Sequence, residues 1–299
     1  SSGTTGAPKA VIHLHHHMVV AADLYAREIL GIGPQDVCFS AAKLSFAYGL
    51  GNSLYFPFRV GAAAVHLAGR STPEVVFETI EKERPTLFFA VPSSFAALLA
   101  KARELGIRSL GSLRLVVSAG EHLPRPLFLA WKDWFGMEIL DGIGSTETLH
   151  IFISNRPGSV RAGSTGTIVP GYQARIVDDH GQDLPPGEIG ELLIRGDSIS
   201  SGYWNRHEES KRTFLGEWIR TGDKFHADPD GHFWFHGRCD EMLKVSGLWV
   251  SPVEVESAFL EHPAVLECGV TGRPGPNGLT KIQAHVVLRG DRPPSEDLE

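Results

Sequence analysis

Cysteine is scarce: three occur in 299 residues. Cys38, Cys239 and Cys268 stand far apart with no redox or zinc spacing, which argues against a dithiol oxidoreductase or a structural zinc site. Free thiols fit a reducing compartment, so the cytoplasm is the expected location. No uninterrupted apolar stretch reaches the length of a membrane span, and no signal peptide is recognisable. The second absence carries little, because the chain opens inside a motif with no strand or helix before it. A basic excess is missing too: the formal net charge is −7, with acids and bases interspersed. That removes the electrostatic footprint expected of a partner of nucleic acid or of an anionic membrane. Internal repeats and low-complexity tracts are likewise absent. What remains is a globular composition, 42% hydrophobic, sufficient for one large domain and part of another, with small molecules as the expected partners.

Short apolar runs alternate with helical patterns through the first half. Strands are expected at Thr86–Val91, Leu113–Ser118 and Glu138–Leu140, and helices at Pro73–Glu83, Ser94–Leu105 and Pro124–Phe135. This is the pattern of a parallel sheet covered by helices. From about Ser164, strands at Ala174–Val177, Ile189–Arg195 and Phe233–His236 are separated by Asp-Gly and Pro-Gly turns, which reads as a small antiparallel β subdomain. Beyond Cys239 come a helix at Pro252–His262, strands at Val265–Val270 and Ile282–Leu288, and a helix onset at Pro293–Glu299. The expected fold class is α/β: residues 1–163 and 164–238 form a large domain of parallel sheet, helices and β subdomain, followed by an incomplete α+β domain at 239–299.

Four elements carry chemistry. Ser1-Ser2-Gly3-Thr4-Thr5-Gly6-Ala7-Pro8-Lys9 offers hydroxyls, flexible backbone amides and one ammonium to phosphate oxygens. It lacks an adjacent Gly-Lys-Ser/Thr, which disfavours a P-loop nucleotidase, and by itself a plain surface loop stays open. Two expected strands run into glycine-bearing turns, Ser118-Ala119-Gly120-Glu121 and Asp141-Gly142-Ile143-Gly144-Ser145-Thr146-Glu147, where an open α/β sheet places its ligand. In the second turn the Thr146 hydroxyl suits a phosphate oxygen and Glu147 suits Mg2+; a simple helix-capping turn is the plainer alternative. Thr221-Gly222-Asp223, after Trp218-Ile219-Arg220, presents a carboxylate of the kind that accepts from ribose hydroxyls; a salt-bridged surface Asp is the plainer alternative. The fourth element is Gly237-Arg238-Cys239-Asp240-Glu241-Met242-Leu243-Lys244-Val245-Ser246-Gly247. His13 and His15-His16-His17 have no carboxylate or cysteine at ligand spacing, so a metal tract is not expected there.

These elements, in this order, resemble those of the adenylate-forming superfamily of acyl-CoA synthetases, peptide-synthetase adenylation domains and luciferases. Phe39 to Gly51, Asp141 to Phe152 and Asp240 to Glu256 further resemble benzoate and 4-hydroxybenzoate CoA ligases. The likeness implies ATP, Mg2+ and CoA as cofactors and an aryl carboxylate as substrate. It implies that Ser1, Ser2, Gly3, Thr4, Thr5, Gly6 and Lys9 hold phosphates, with Gly120, Glu121, Asp141 and Gly142 also on the nucleotide. Thr146 and Glu147 would take the α-phosphate and metal, Asp223 and Arg238 the ribose. Asp240 would be the interdomain pivot, and Gly247 would line the pantetheine channel. Ala47, Tyr48, Ala119, Gly144, His150 and Ile151 would line the aryl pocket, with Lys244 on the carboxylate. By the same likeness the chain is a fragment, short of the start of the large domain and of a C-terminal lysine, and is expected to be inactive alone. Two alternatives stay open: an adenylation domain that loads a carrier protein, and a nucleotide-binding module without turnover. A homodimer is also left open.

Overall fold

The computed structural model describes residues 8–245, 248–274 and 280–290. The first sheet is built from β1 (Val37–Ser40), β2 (Ala63–Val65), β3 (Leu87–Ala90), β4 (Leu115–Ser118), β5 (Ile139–Gly144), β6 (Ile151–Ser154) and β7 (Thr167–Ile168). Its order is β2-β1-β3-β4-β5-β6-β7; the pairs from β2 to β5 are parallel, and β6 and β7 add antiparallel. All four side chains of β3 are buried, as an unbroken apolar run requires of a strand covered on both faces. Leu87 and Phe89 enter one core with Tyr25, Phe56 and Ile153, whereas Phe88 and Ala90 enter the other with Phe95, Phe128 and Trp131. The sheet is thus the partition between two cores.

The helices precede and follow these strands: α1 (His15–Ala21), α2 (Ala47–Leu50), α3 (Phe56–Val60), α4 (Pro73–Glu83), α5 (Pro92–Leu105) and α6 (Arg125–Phe135). The expected limits of α4 hold, and α5 starts two residues before the expected Ser94 because Pro92 can occupy the first helical turn without losing a hydrogen bond. The chain turns left-handed after each of α4, α5 and α6, at Arg84, Gly106 and Gly136. After α1, residues 22–27 widen into a π-helical turn that leaves Tyr25 wholly buried.

One local reading needs correction. Asp141 to Gly144 were expected in a turn, yet they prolong β5 and pair with β6 through Gly142 with Ser154, Ile143 with Ile153 and Gly144 with Ile151. A Cβ at Gly144 would lie 2.5 Å from the His150 carbonyl oxygen. The glycine therefore serves close backbone approach inside a ladder, a demand that looks like a turn signal in sequence.

The second sheet is antiparallel: β8 (Gln173–Val177), β9 (Gly190–Arg195), β10 (Phe214–Leu215), β11 (Trp218–Ala227) and β12 (Phe233–Arg238), with α7 (His207–Thr213) before β10. Gly166, at φ 105°, bridges to Phe233 and so ties the two sheets. The chain continues into the hairpin β13 (Leu243–Val245) and β14 (Leu248–Val250), then α8 (Pro252–Leu260) and the hairpin β15 (Val265–Pro274) and β16 (Thr280–Leu288). Ser251 caps α8 by accepting from the Glu254 amide at 3.1 Å, and its hydroxyl donates to the His236 carbonyl on β12.

Candidate active site

A cleft of about 950 Å3 opens beyond the carboxyl ends of β4 and β5 and is closed on its other side by β11 and β12. That is where an open parallel sheet presents loops to a ligand. The cleft gathers Lys9, Gly120, Glu121, Asp141, Gly142, Gly144, Thr146, Glu147, Asp223, Arg238 and Asp240, all expected from the sequence.

The turn after β5 is held from within and from outside. The Ser145 amide donates to Thr148 Oγ1 at 3.2 Å, and the Thr148 amide donates back to Ser145 Oγ at 3.2 Å. From outside, His13 Nε2 donates to the Thr146 carbonyl at 2.6 Å, and the Ser200 amide donates to the Glu147 carbonyl at 2.8 Å. Burial lowers His13 from its ordinary value. His13 is therefore part of the scaffold of this turn, and its Nδ1 lies 2.9 Å from Nδ1 of the buried His17. Tyr203 donates to Glu147 Oε1 at 2.7 Å.

Across the cleft, Asp223 and Arg238 face each other in register on β11 and β12, with Arg238 Nη1 2.7 Å from Asp223 Oδ1 and 3.0 Å from the Thr221 carbonyl. Burial raises the Asp223 carboxyl above its usual range against the pull of the arginine. Asp240 lies just beyond, its Oδ1 3.8 Å from Arg238 Nε. Asp141 is buried, its carboxyl pushed well up by desolvation, and its Oδ1 has no hydrogen-bond partner among the described residues. Glu121 lines the cleft but has a structural task as well, accepting from Ser93 N and Ser93 Oγ at 3.0 Å each and so capping the start of α5.

The proposed aryl set lies partly apart from this cleft. Ala119, His150 and Ile151 are buried, and Ala47 and Tyr48 half-buried, outside its lining; only Gly144 joins them to it. His150 is surrounded by the rings of Tyr25, Tyr48, Tyr55 and Phe56 at centroid distances of 5.6, 5.5, 6.4 and 4.4 Å. Burial pushes its imidazole down to about 3. Its Nε2 lies 3.3 Å from the Tyr48 carbonyl and 3.2 Å from Asn52 Oδ1, both acceptors, so Nε2 carries the proton. Nδ1 is then an acceptor, buried and without a partner among the described residues. Lys244 stands away from the cleft, exposed on β13 with Nζ 5.6 Å from the Trp249 ring. Ser1, Ser2, Gly3, Thr4, Thr5, Gly6 and Gly247 lie outside the described residues, as does the helix expected at Pro293–Glu299.

Sequence reasoning missed Tyr203, His122 and the Arg220–Glu191 pair, all on the cleft wall. His122 is half-buried and lowered to about 4 by desolvation. Arg220 and His122 border motifs already singled out, Thr221-Gly222-Asp223 and Gly120-Glu121, whereas nothing in the immediate sequence of Tyr203 or Glu191 advertises a ligand and the fold brings them in.

The donor set fits a hard dication held between phosphates. Among the described residues no cluster of three metal-ligating side chains exists, and Glu147 with the Thr146 hydroxyl supplies oxygen donors only. Mg2+ usually takes one or two carboxylates and fills its shell with phosphate and water. No helix among the described residues is long and apolar enough to cross a membrane.

Residues 1–204 match the AMP-binding enzyme family, and residues 254–299 match the AMP-binding enzyme C-terminal domain. The chain is 50% identical over 293 residues to a benzoate–CoA ligase of Thauera aromatica, covering 97% of this chain and 55% of that protein. It is 48% identical over 296 residues to a 4-hydroxybenzoate–CoA/benzoate–CoA ligase of Rhodopseudomonas palustris, again 55% of the relative's length against 98% of its own. The crystal structure of the anthranilate CoA ligase AuaEII in complex with anthranoyl-AMP superposes with a TM-score of 0.94 at 47% identity, over 100% of this chain and 58% of that one. The chain thus spans little more than half the length of the relatives it matches. An α/β fold with a mixed parallel sheet, an antiparallel sheet and a nucleotide-sized cleft between them agrees with that match, and the chain belongs to the AMP-binding enzyme family.

Proposed function

We propose that this chain carries the nucleotide site of an ATP-dependent aryl-CoA ligase acting on benzoate or a hydroxybenzoate. The observation that carries the reading is the convergence in one cleft of Lys9, the Thr146–Glu147 turn and the Asp223–Arg238 pair. In the first step the aryl carboxylate attacks the α-phosphorus of ATP, the α–β bond breaks, and acyl adenylate and pyrophosphate form. In the second, the CoA thiolate attacks the acyl carbonyl and AMP leaves. Lys9, with the loop before it, orients the β- and γ-phosphates. The Thr146 hydroxyl donates to the α-phosphate, and Asp223, fixed by Arg238, accepts from the ribose hydroxyls. Mg2+ held at Glu147 would neutralise charge on the phosphates. Acceleration then rests on in-line positioning and charge compensation, since phosphoryl chemistry asks little covalent work of the protein.

The aryl pocket is assigned to Ala47, Tyr48, Ala119, Gly144, His150 and Ile151, and the carboxylate contact to Lys244, which has to move from its exposed position to make it. Asp240 is assigned as the pivot of that movement. The units proposed are 1–163, 164–238 and 239–299, with CoA approaching past Gly247 and a cytoplasmic location. The test uses the full-length protein: pyrophosphate release with ATP, Mg2+ and benzoate, followed by thioester formation on adding CoA. Both should occur with benzoate and fail with octanoate; octanoate as the better substrate overturns the aryl reading.

A further inference from the structure

Tyr203 sits where three remote parts of the chain meet. Its hydroxyl donates to Glu147 Oε1 at 2.7 Å; a carboxylate accepts only, so the phenol is the donor. The Lys9 ammonium lies 4.7 Å from the centre of its ring, within cation–π range. Its backbone bridges to Val11, two residues beyond Lys9, and its amide donates to Ser210 Oγ at 3.0 Å. Phe214 packs edge-on against the ring at 5.4 Å. The side chain is buried yet belongs to neither hydrophobic core, and it lines the cleft. Its hydroxyl and one face of its ring meet Glu147 and Lys9, both on the cleft lining, while Phe214 of β10 supports the ring from the side.

We propose that Tyr203 is the positioning residue of the metal–phosphate end of the cleft: its hydroxyl fixes the Glu147 carboxylate, and its ring seats Lys9 beside it. This rests on reading the cleft as the site of ATP and Mg2+. A glutamate has three rotatable bonds, and anchoring one oxygen removes much of that freedom before any ligand arrives. Mg2+ demands near-ideal octahedral geometry, so an unanchored carboxylate costs affinity that depends on the metal. Lys9 acts on phosphate directly, so losing its seat costs affinity with or without metal.

Calorimetric titration of ATP into the full-length protein, without acid substrate, separates the two contacts. Each protein is measured in saturating Mg2+ and in EDTA. Tyr203→Phe keeps the ring and loses the donor: about a tenfold loss of affinity is expected in Mg2+, the scale of a hydrogen bond to a charged group, with none in EDTA. Tyr203→Leu loses both contacts and should weaken ATP in EDTA as well. Tyr203→Phe with unchanged affinity in Mg2+, or with equal loss in both buffers, overturns the role toward Glu147. Tyr203→Leu at wild-type affinity in EDTA overturns the role toward Lys9. A wild type that binds no ATP in either buffer overturns the nucleotide reading itself, and this one with it.

Discussion

At the scale of single residues, charge and burial make separable predictions. Glu147→Gln in the full-length protein keeps shape and removes the charge from the proposed metal site, so adenylate formation should fall by about a hundredfold or more, while thioester formation from supplied aryl adenylate and CoA should lose far less. Equal losses in the two half-reactions, measured by pyrophosphate release and thioester absorbance, would remove the metal role. His150 gives a prediction about stability. Its folded pKa of about 3 lies below the ordinary 6.5, so the unfolded chain binds the extra proton between those values. Stability from this group is complete above about pH 6.5 and is lost as pH falls toward 3. Between pH 7 and pH 5 the loss should be about 2 kcal/mol, and His150→Gln should flatten that slope in urea unfolding. Residue chemistry was readable only as a shared neighbourhood for Asp223 and Arg238, named from two separate motifs that β11 and β12 bring into one ion pair. It was unreadable where a contact spans the chain: Tyr203 lies 56 positions from Glu147, and no local pattern announces their hydrogen bond.

Elements were legible to the degree that their signals are local. The α4 limits follow from Pro73 and a C-terminal left-handed turn, and β3 follows from an unbroken apolar run. One failure has a plain cause: β5 was cut short because Asp141-Gly142-Ile143-Gly144 carries turn residues, whereas its glycines admit the backbone of the 145–150 turn and β6. The glycine at 166 makes the same point between sheets. It has φ 105°, and a Cβ there would lie 2.0 Å from the Ser154 carbonyl carbon. Gly166→Ala should therefore force residue 166 and the end of β6 apart, disturb the bridge from 166 to Phe233 and destabilise the fold by about 3 kcal/mol or more, read as a shifted urea midpoint. A change below about 1 kcal/mol would mean that this junction relaxes freely.

At the scale of the whole molecule, the question is whether the segment after Cys239 moves. If Asp240 is the pivot, Asp240→Pro fixes one backbone rotation, and the full-length variant should form adenylate while losing thioesterification. Unchanged CoA transfer would place the pivot elsewhere. The exposed Lys244, away from the cleft it is proposed to serve, sets the scale of the movement required. One contact described above determines how such a movement can be watched. The Ser251 hydroxyl donates to the His236 carbonyl on β12 while accepting the Glu254 amide of α8, and the Glu254 carboxylate in turn reaches the His236 ring at 2.5 Å. Swinging α8 and its Ser251 cap away from β12 breaks both contacts to His236, while the bond that the Glu254 amide donates to Ser251 travels with the helix. The His236 ring then loses its carboxylate neighbour with each swing, which makes the resonance of one imidazole the clock of a rigid-body motion.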